Sequence, residues 1–407
     1  MKKTSQDRRT FLKTVAGGVA AWGAASAGLY ARPGKQEVPA KGGSMLYRRL
    51  GRTGLLVSEI SLGGSPLPDP YLMRTLIDRG VNYVDTSHSY ENGNSERQIG
   101  RLLKEIGRDK LNVGTKFHVT ARDTSASIIS SVEGSLRRLA TDHIDVLMIH
   151  GAASAAVLDD ERVLEATERL KKAGAWRFRG LSCHTNHDEV VRKAVDGGLY
   201  DMVQVGYNVF DIQETEKEVE TYPDYLGTSG LGGLLDHARS KGVGVVAMKT
   251  LRVGGRRQDL GKYRTGSASI YQAMLKWVLD DERIASALVE ILNHQEMDED
   301  LGAVGARLTP AERATLACFV RENGRDYCHM CGRCTHACPS GVAVTDVLRC
   351  LAYHESYGKT QRARETYSAL GEGAKVSSCR DCGTCEKACP YGVSVRARIR
   401  TAAALFA

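Results

Sequence analysis

The sequence predicts an α/β fold, a (β/α)8 TIM barrel followed by a small, mainly helical, cysteine-rich domain. Three observations carry this expectation. Between residue 45 and about residue 305, short apolar runs alternate with longer segments of helical period, and the cycle repeats eight times. Eight such units in that span match the size of a closed barrel, typically about 250 residues. Finally, nine of the eleven cysteines lie in the last 80 residues, eight of them in two tight groups. A chain of 407 residues suits one large domain plus a smaller one. Its 42% hydrophobic and 26% charged residues are ordinary for a globular protein and exclude global disorder or a multi-span membrane protein. A core of this size needs no disulfide staples.

Residues 1–31 do not read as part of either domain. Lys2, Lys3, Arg8, Arg9 and Lys13 form a basic start, and Thr14 to Leu29 form a mildly apolar run rich in Ala and Gly. Small residues at Ala25-Ser26-Ala27, or at Ala31, suit a cleavage site. Arg8-Arg9-Thr10-Phe11-Leu12-Lys13 resembles the twin-arginine export motif. An ordinary secretory signal or a retained anchor is the alternative, although the run is too short and Gly-rich for a good spanning helix of about 20 residues. The expectation is export to the periplasm with the twin-arginine machinery as a partner, and membrane association where the signal is retained. Residues 32–44, rich in Pro and Gly, read as a linker.

The barrel is expected over 45–307. Its strands are predicted at Glu59–Leu62, Asn82–Asp85, Asn112–Lys116, Asp145–His150, Phe178–Ser182, Met202–Gln204, Gly244–Met248 and Ala287–Ile291. Helical stretches such as Ser95–Ile106, Ser125–Leu139, Glu161–Ala173 and Ser267–Leu279 lie between them. A doubly wound open sheet is the alternative, but no Gly-x-Gly-x-x-Gly opens the first βα turn. Barrel chemistry sits at the C-terminal ends of the strands. There the second strand ends in Asp85 with Tyr90 in the next loop, the third ends in Lys116 and the fourth in His150. Taken singly, such residues are commonly structural. Four on consecutive strands are a constellation.

These stretches resemble the aldo-keto reductase family. LYRRLGRTGLLVSEISLGG is similar to its N-terminal hairpin and first strand, and DTSHSYENGNSERQIGRLL to its DTAxxYGxSExxLGxxL segment. VQVGYN and GVGVVAMKTL resemble later segments. The resemblance implies that Asp85, Tyr90, Lys116 and His150 form a catalytic tetrad acting on a small carbonyl or alcohol. Tyr90 would be the acid-base group, its phenol lowered from about 10 by the Lys116 ammonium. Asp85 would fix the lysine, and His150 would orient the substrate oxygen. It also implies a nicotinamide dinucleotide, NADP(H), with Ser182 and Gln204 on the carboxamide and Tyr207 stacked on the ring. The sequence departs from the family at two places. Cys183 stands where an Asn is usual, and a thiol hydrogen-bonds weakly. Glu290 to Asp300 holds five acidic residues and no Lys or Arg, which opposes a 2′-phosphate. Arg252, Arg256 and Arg257 could offset this in part, and the acidic run also suits a solvated helix start. Outside the cytoplasmic membrane, free nicotinamide cofactor is scarce.

The second domain is expected over 308–407. It carries Cys328-x2-Cys331-x2-Cys334-x3-Cys338-Pro339 and repeats the pattern at Cys379-x2-Cys382-x2-Cys385-x3-Cys389-Pro390, the bacterial ferredoxin run. The spacing lets three thiolates surround one cluster while the fourth reaches the other. Cys328, Cys331, Cys334 and Cys389 are therefore assigned to one [4Fe–4S] cluster, and Cys379, Cys382, Cys385 and Cys338 to a second. Zinc or disulfides are the rivals for such cysteines, but the third CxxC step and following Cys-Pro, present twice, favour clusters. The insert between the runs has helical period, as in helical ferredoxin modules. Cys318 and Cys350 read as packed thiols.

The net charge of +8 divides accordingly. Residues 1–27 hold five Lys/Arg and one Asp, and residues 311–407 hold 14 Lys/Arg and nine Asp/Glu. Two oxidised clusters, each about −2, would offset most of the second excess, which leaves no nucleic-acid surface. Arg396, Arg398 and Arg400 could still dock an acidic redox partner. The sequence thus reads as an exported iron–sulfur oxidoreductase. The alternative is an electron-transfer protein whose barrel binds without turning over.

Overall fold

The computed structural model describes residues 36–37, 45–211, 231–251, 260–266 and 268–406. The expected export segment, nearly all of the linker, and Arg252, Arg256 and Arg257 lie outside the described residues. A small antiparallel sheet of β1 (Gln36–Glu37), β2 (Leu46–Arg49) and β3 (Leu56–Ser58) comes first. Eight parallel strands then close into a barrel in sequence order: β4 (Ile60–Gly63), β5 (Tyr83–Asp85), β6 (Asn112–Phe117), β7 (Ile144–Ile149), β8 (Trp176–Cys183), β9 (Met202–Gly206), β10 (Gly244–Met248) and β11 (Ser286–Val289). The eight predicted strands are all present. Between and after them run α1 (Pro70–Asp78), α2 (Asn94–Ile106), α3 (Ser125–Leu139), α4 (Glu161–Lys172), α5 (His187–Asp196), α6 (Leu231–Ser240), α7 (Ile270–Asp280) and α8 (His294–Leu301).

The strands read as continuous apolar runs because both faces are covered. Along β7, Val146 and Met148 point inward to join Tyr83, Met202 and Val246 in the barrel interior. Leu147 and Ile149 point outward into the layer beneath the helices. This period of two is the pleat of a strand. Local signals start the helices. Thr124 and Ser127 form a reciprocal capping box for α3, and the Asp69 carboxylate accepts from the first backbone N–H groups of α1. The acidic run 290–300 does contain a helix start: Asn293 caps α8, and the Glu296 carboxylate accepts from Leu292 N at 2.7 Å.

The hairpin β2–β3 plugs the end of the barrel opposite the strand C-termini, placing Leu50, Leu55 and Val57 in the interior core. Gly51 makes this seat possible. Its φ is +50°, and an added Cβ would lie 2.3 Å from Gly244 N and 2.5 Å from Gly242 O. Both neighbours are backbone and cannot give way. Gly51→Ala is expected to cost more than about 1 kcal/mol, through strain at positive φ and the clash. Chemical unfolding midpoints would show it, and an unchanged midpoint would contradict the seating.

After the barrel, α9 (Pro310–Asn323) starts with a Thr309/Glu312 capping box and packs Leu316, Phe319 and Val320 into the barrel core. The cysteine-rich region has its own core, built from Val342, Val347, Leu348, Tyr391, Val393 and Ile399 among others. Its helices are α10 (Arg333–His336), α11 (Val344–Glu355), α12 (Thr360–Ser368), α13 (Thr384–Lys387) and α14 (Val395–Phe406). Cys350 is buried in that core, whereas Cys318 is half-buried on α9, its thiol 3.4 Å from Glu322 Oε1. No helix among the described residues is long and apolar enough to cross a membrane.

Candidate active site and cysteine cavities

The C-terminal ends of β5, β6 and β7 bring the four rim residues together. Asp85 ends β5, and Lys116 is the penultimate residue of β6, where its backbone pairs with Met148 of β7. Lys116 Nζ donates to Asp85 Oδ2 at 2.5 Å and to Thr86 O at 2.9 Å. Both members of this ion pair are buried. The same ammonium lies 5.0 Å from the centre of the Tyr90 ring, and that ring meets His150 edge-on at 5.6 Å. Ser87 Oγ lies 3.1 Å from His150 Nδ1 and fixes the imidazole.

The electrostatics follow from burial and neighbours. Burial works against the Lys116 charge, but Asp85 and Tyr90 outweigh it and hold the ammonium protonated. Burial, reinforced by Lys116, keeps His150 neutral well below the usual histidine range. One expectation is corrected here. Burial raises the Tyr90 phenol above its ordinary value, and the Lys116 and Arg362 cations offset this only in part. Tyr90 is therefore a firmly protonated acid in this environment.

Asp85 and Tyr90 border a cleft of about 540 Å³, which Gln204 and Lys249 also line from the barrel. Its other wall belongs to the cysteine-rich region. Tyr353 on α11, Tyr357 in the following turn, and Arg362 on α12 all line it. Lys359 clasps the barrel by donating to Ser65 O and to Glu290 Oε1, each at 2.5 Å. The sequence reading missed this wall. Its signal was the basic string Lys359-Thr360-Gln361-Arg362-Ala363-Arg364 in the insert.

The residues expected around a nicotinamide divide. Gln204 lines the cleft, and its Oε1 is buried without a hydrogen-bond partner, so it can accept from a carboxamide N–H. Ser182 and Tyr207 are corrections. Ser182 Oγ accepts from Gly151 N at 2.9 Å and sits inside the wall. Tyr207 is 1% exposed, stacks on Trp277 of α7 at 4.9 Å and donates to Asp281 Oδ2 at 2.8 Å, facing away from the cleft. Cys183 is fully buried, its Sγ bonded to Thr185 O, and burial pushes the thiol up to about 12. On the β11 side the cleft meets Glu290 and Glu296, with Glu290 already bound to Lys359. Among the described residues, Gln204 fits a nicotinamide carboxamide, and the cleft beyond it carries both the paired Glu290 and the cations Lys249 and Arg362.

The eight clustered cysteines are all free thiols. They line two small cavities, in an arrangement that crosses the sequence. Cys328, Cys331, Cys334 and Cys389 border one, and Cys379, Cys382, Cys385 and Cys338 the other. The two loops repeat one backbone path. Met330 and Gly332 in the first, and Asp381 and Gly383 in the second, all have positive φ, and each loop runs into a one-turn helix, α10 or α13. Four soft ligands around a small cavity, twice, fit two cubane clusters. Their surroundings differ. A Cβ on Gly332 would lie 2.2 Å from Asn186 Oδ1 of the barrel, so the first loop rests on it. Cys379 and Cys382 are exposed.

Residues 70–319 match the aldo/keto reductase family, and residues 327–394 match the 4Fe-4S dicluster domain. The chain belongs to the aldo/keto reductase family. This aldo/keto reductase is 26% identical over 345 residues to the aldo-keto reductase AFTS1 of Alternaria alternata, covering 69% of this chain and 93% of that one. It is 26% identical over 295 residues to L-galactose dehydrogenase of Arabidopsis thaliana, covering 63% and 87%. Among solved structures, the thermostable aldo-keto reductase Tm1743, in complex with the inhibitor epalrestat, superimposes with a TM-score of 0.52 at 26% identity, over 67% of this chain and 99% of that one. An aldo-keto reductase from Klebsiella pneumoniae in complex with NADPH shares the fold, with a TM-score of 0.53 at 20% identity, over 70% and 95%. The protein is thus an oxidoreductase of this family carrying an iron–sulfur domain.

Proposed function

We propose that this protein is an exported oxidoreductase that interconverts a carbonyl and an alcohol at Tyr90, coupled to electron transfer through two [4Fe–4S] clusters. The observation that carries the reading is a single cleft lined on one side by Asp85 and Tyr90, with Lys116 and His150 packed behind the Tyr90 ring, and on the other by the cysteine-rich domain. Tyr90 gives its phenolic proton to the oxygen of the reduced carbonyl and takes it back in the reverse direction. Lys116 steadies the phenolate during that exchange. His150, held neutral, presents an imidazole to the substrate oxygen without competing as a charged acid. Eight cysteines in two groups of four would hold the clusters, which when bound supply single electrons; each carbonyl reduced takes two electrons and two protons, one from Tyr90 to the oxygen and one from solvent to the carbon. The contact of Gly332 with Asn186 supports the first cavity as the one nearer the barrel. The exposure of Cys379 and Cys382 supports the second cavity as the one open to a redox partner. Export rests on the twin-arginine string, a route that passes folded proteins and so suits clusters inserted before export.

Tyr90→Phe is expected to lower turnover by roughly 10²–10⁴-fold. The assay is oxidation of a reduced viologen by a panel of carbonyl compounds, using protein purified anaerobically with its clusters. With Tyr90 held protonated and His150 neutral, carbonyl reduction should show no limb near pH 6.5. It should fall only as pH approaches the raised phenol value, above 10. Alcohol oxidation needs the phenolate and should rise with pH instead. Full activity in Tyr90→Phe would sink the assignment.

A second reading is an electron-transfer protein whose barrel does not turn over. The withdrawal of Ser182, Cys183 and Tyr207 from the cleft favours it. It requires that neither the viologen nor NADPH drives reduction of any carbonyl in the panel.

A further inference from the structure

Most of the charged groups facing the cleft are already matched. Asp85 is bound by Lys116, and Glu290 by Lys359. Glu296 accepts from its own helix start. Arg362 differs. It sits in the first turn of α12, half-buried, with its guanidinium carbon 5.3 Å from the centre of the Tyr90 ring and 5.7 Å from that of Tyr353. Among the described residues it forms no ion pair with a carboxylate. A guanidinium offers a planar fork of donors that matches a carboxylate in two parallel hydrogen bonds. Held against two aromatic rings, that fork loses little freedom on binding. Lys249 adds a second positive group to the rim of the same cleft, and three neighbouring imidazoles, His88, His118 and His150, bring no negative charge.

We propose that Arg362 binds the carboxylate of the substrate, so that the cleft takes short carbonyl acids and their hydroxy-acid partners. The inference rests on the reading of Tyr90 as the reacting end of the cleft. It adds where the other end of the substrate is held. Contact between the Arg362 guanidinium and the Tyr90 ring sets the carboxylate close to the carbonyl, as in a 2-oxo acid. Because Arg362 comes from α12 and Tyr90 from the barrel, the substrate site is complete only when the two regions are docked. The cysteine-rich region then has two roles, supplying electrons and selecting the substrate by charge.

The test is calorimetric titration of the anaerobic, cluster-loaded protein with oxamate, a planar carboxylate that mimics a 2-oxo acid, and with oxamide, its uncharged amide. Oxamate should bind at least tenfold more tightly than oxamide, and added salt should reduce the difference. Arg362→Gln should remove that preference, and Arg362→Lys should restore part of it. Arg364→Gln, an exposed neighbour on the same helix, should leave binding unchanged. Iron content and circular dichroism of each variant would show that the fold and clusters persist. Equal binding of oxamate and oxamide, no binding of oxamate, or unchanged oxamate affinity in folded Arg362→Gln would each overturn the proposal. Tyr90→Phe should still bind oxamate. The two readings therefore fail separately: Arg362-dependent binding without turnover overturns only the acid-base role, and turnover without oxamate binding overturns only the carboxylate site.

Discussion

Lys116→Met is expected to destabilise the protein by about 3–5 kcal/mol and to abolish turnover. Lys116 and Asp85 are only 1% and 3% exposed, and their contact is 2.5 Å. Removing the ammonium leaves the Asp85 carboxylate buried beside Gln204 with no cation to balance it. It also strips the hydrogen bond that Thr86 O accepts. The large cost belongs to the orphaned charge and not to the worth of the pair. A double variant, Lys116→Met with Asp85→Asn, should therefore regain much of the lost stability while remaining inactive, because Tyr90 still lacks its ammonium. Urea unfolding of the wild type, both single variants and the double variant measures this. If the double variant were no more stable than Lys116→Met, the carboxylate would not be the source of the cost. If it were active, Lys116 would be structural only.

The parts of this site that could be read from the sequence are those fixed by local pattern. Strand ends are local, so Asp85, Lys116 and His150 emerge from the boundary between an apolar run and a loop, and the barrel topology then sets them side by side. The paired cysteine runs are equally local, because three ligands of each cavity come from one seven-residue loop. What stayed hidden depends on direction or distance. Tyr207 directly follows β9, and nothing nearby in sequence shows that its ring turns outward to Trp277, which is 70 residues on. Arg362 reaches Tyr90 across 272 residues, through the docking of one region on another. The Tyr90 acidity was misjudged for a related reason. The sequence shows the neighbouring lysine, but the depth of burial that outweighs it exists only in the packed fold.

The cysteine pairing carries the other large expected effect, and it tests the crossed assignment that the spacing predicts and the two cavities repeat. Cys389→Ser should remove the cluster held by Cys328, Cys331 and Cys334 and spare the one beside its own run. Cys338→Ser should do the converse. The argument is the lining of the two cavities: Cys389 borders the first, and Cys338 the second. Each single variant should retain about half of the wild-type iron. Electron paramagnetic resonance of the reduced proteins then groups them. Cys389→Ser should leave the same residual signal as Cys331→Ser, and Cys338→Ser the same as Cys382→Ser. If Cys389→Ser matched Cys382→Ser instead, each run would hold its own cluster and the crossed arrangement would be wrong. The crossing also has a mechanical consequence. Since each cluster ties both runs together, losing either one should loosen the core of α11, α12 and α14 and with it the clasp of Lys359 on Glu290. Both variants should then lose more carbonyl turnover than half, because the wall that carries Arg362 depends on the two cavities equally.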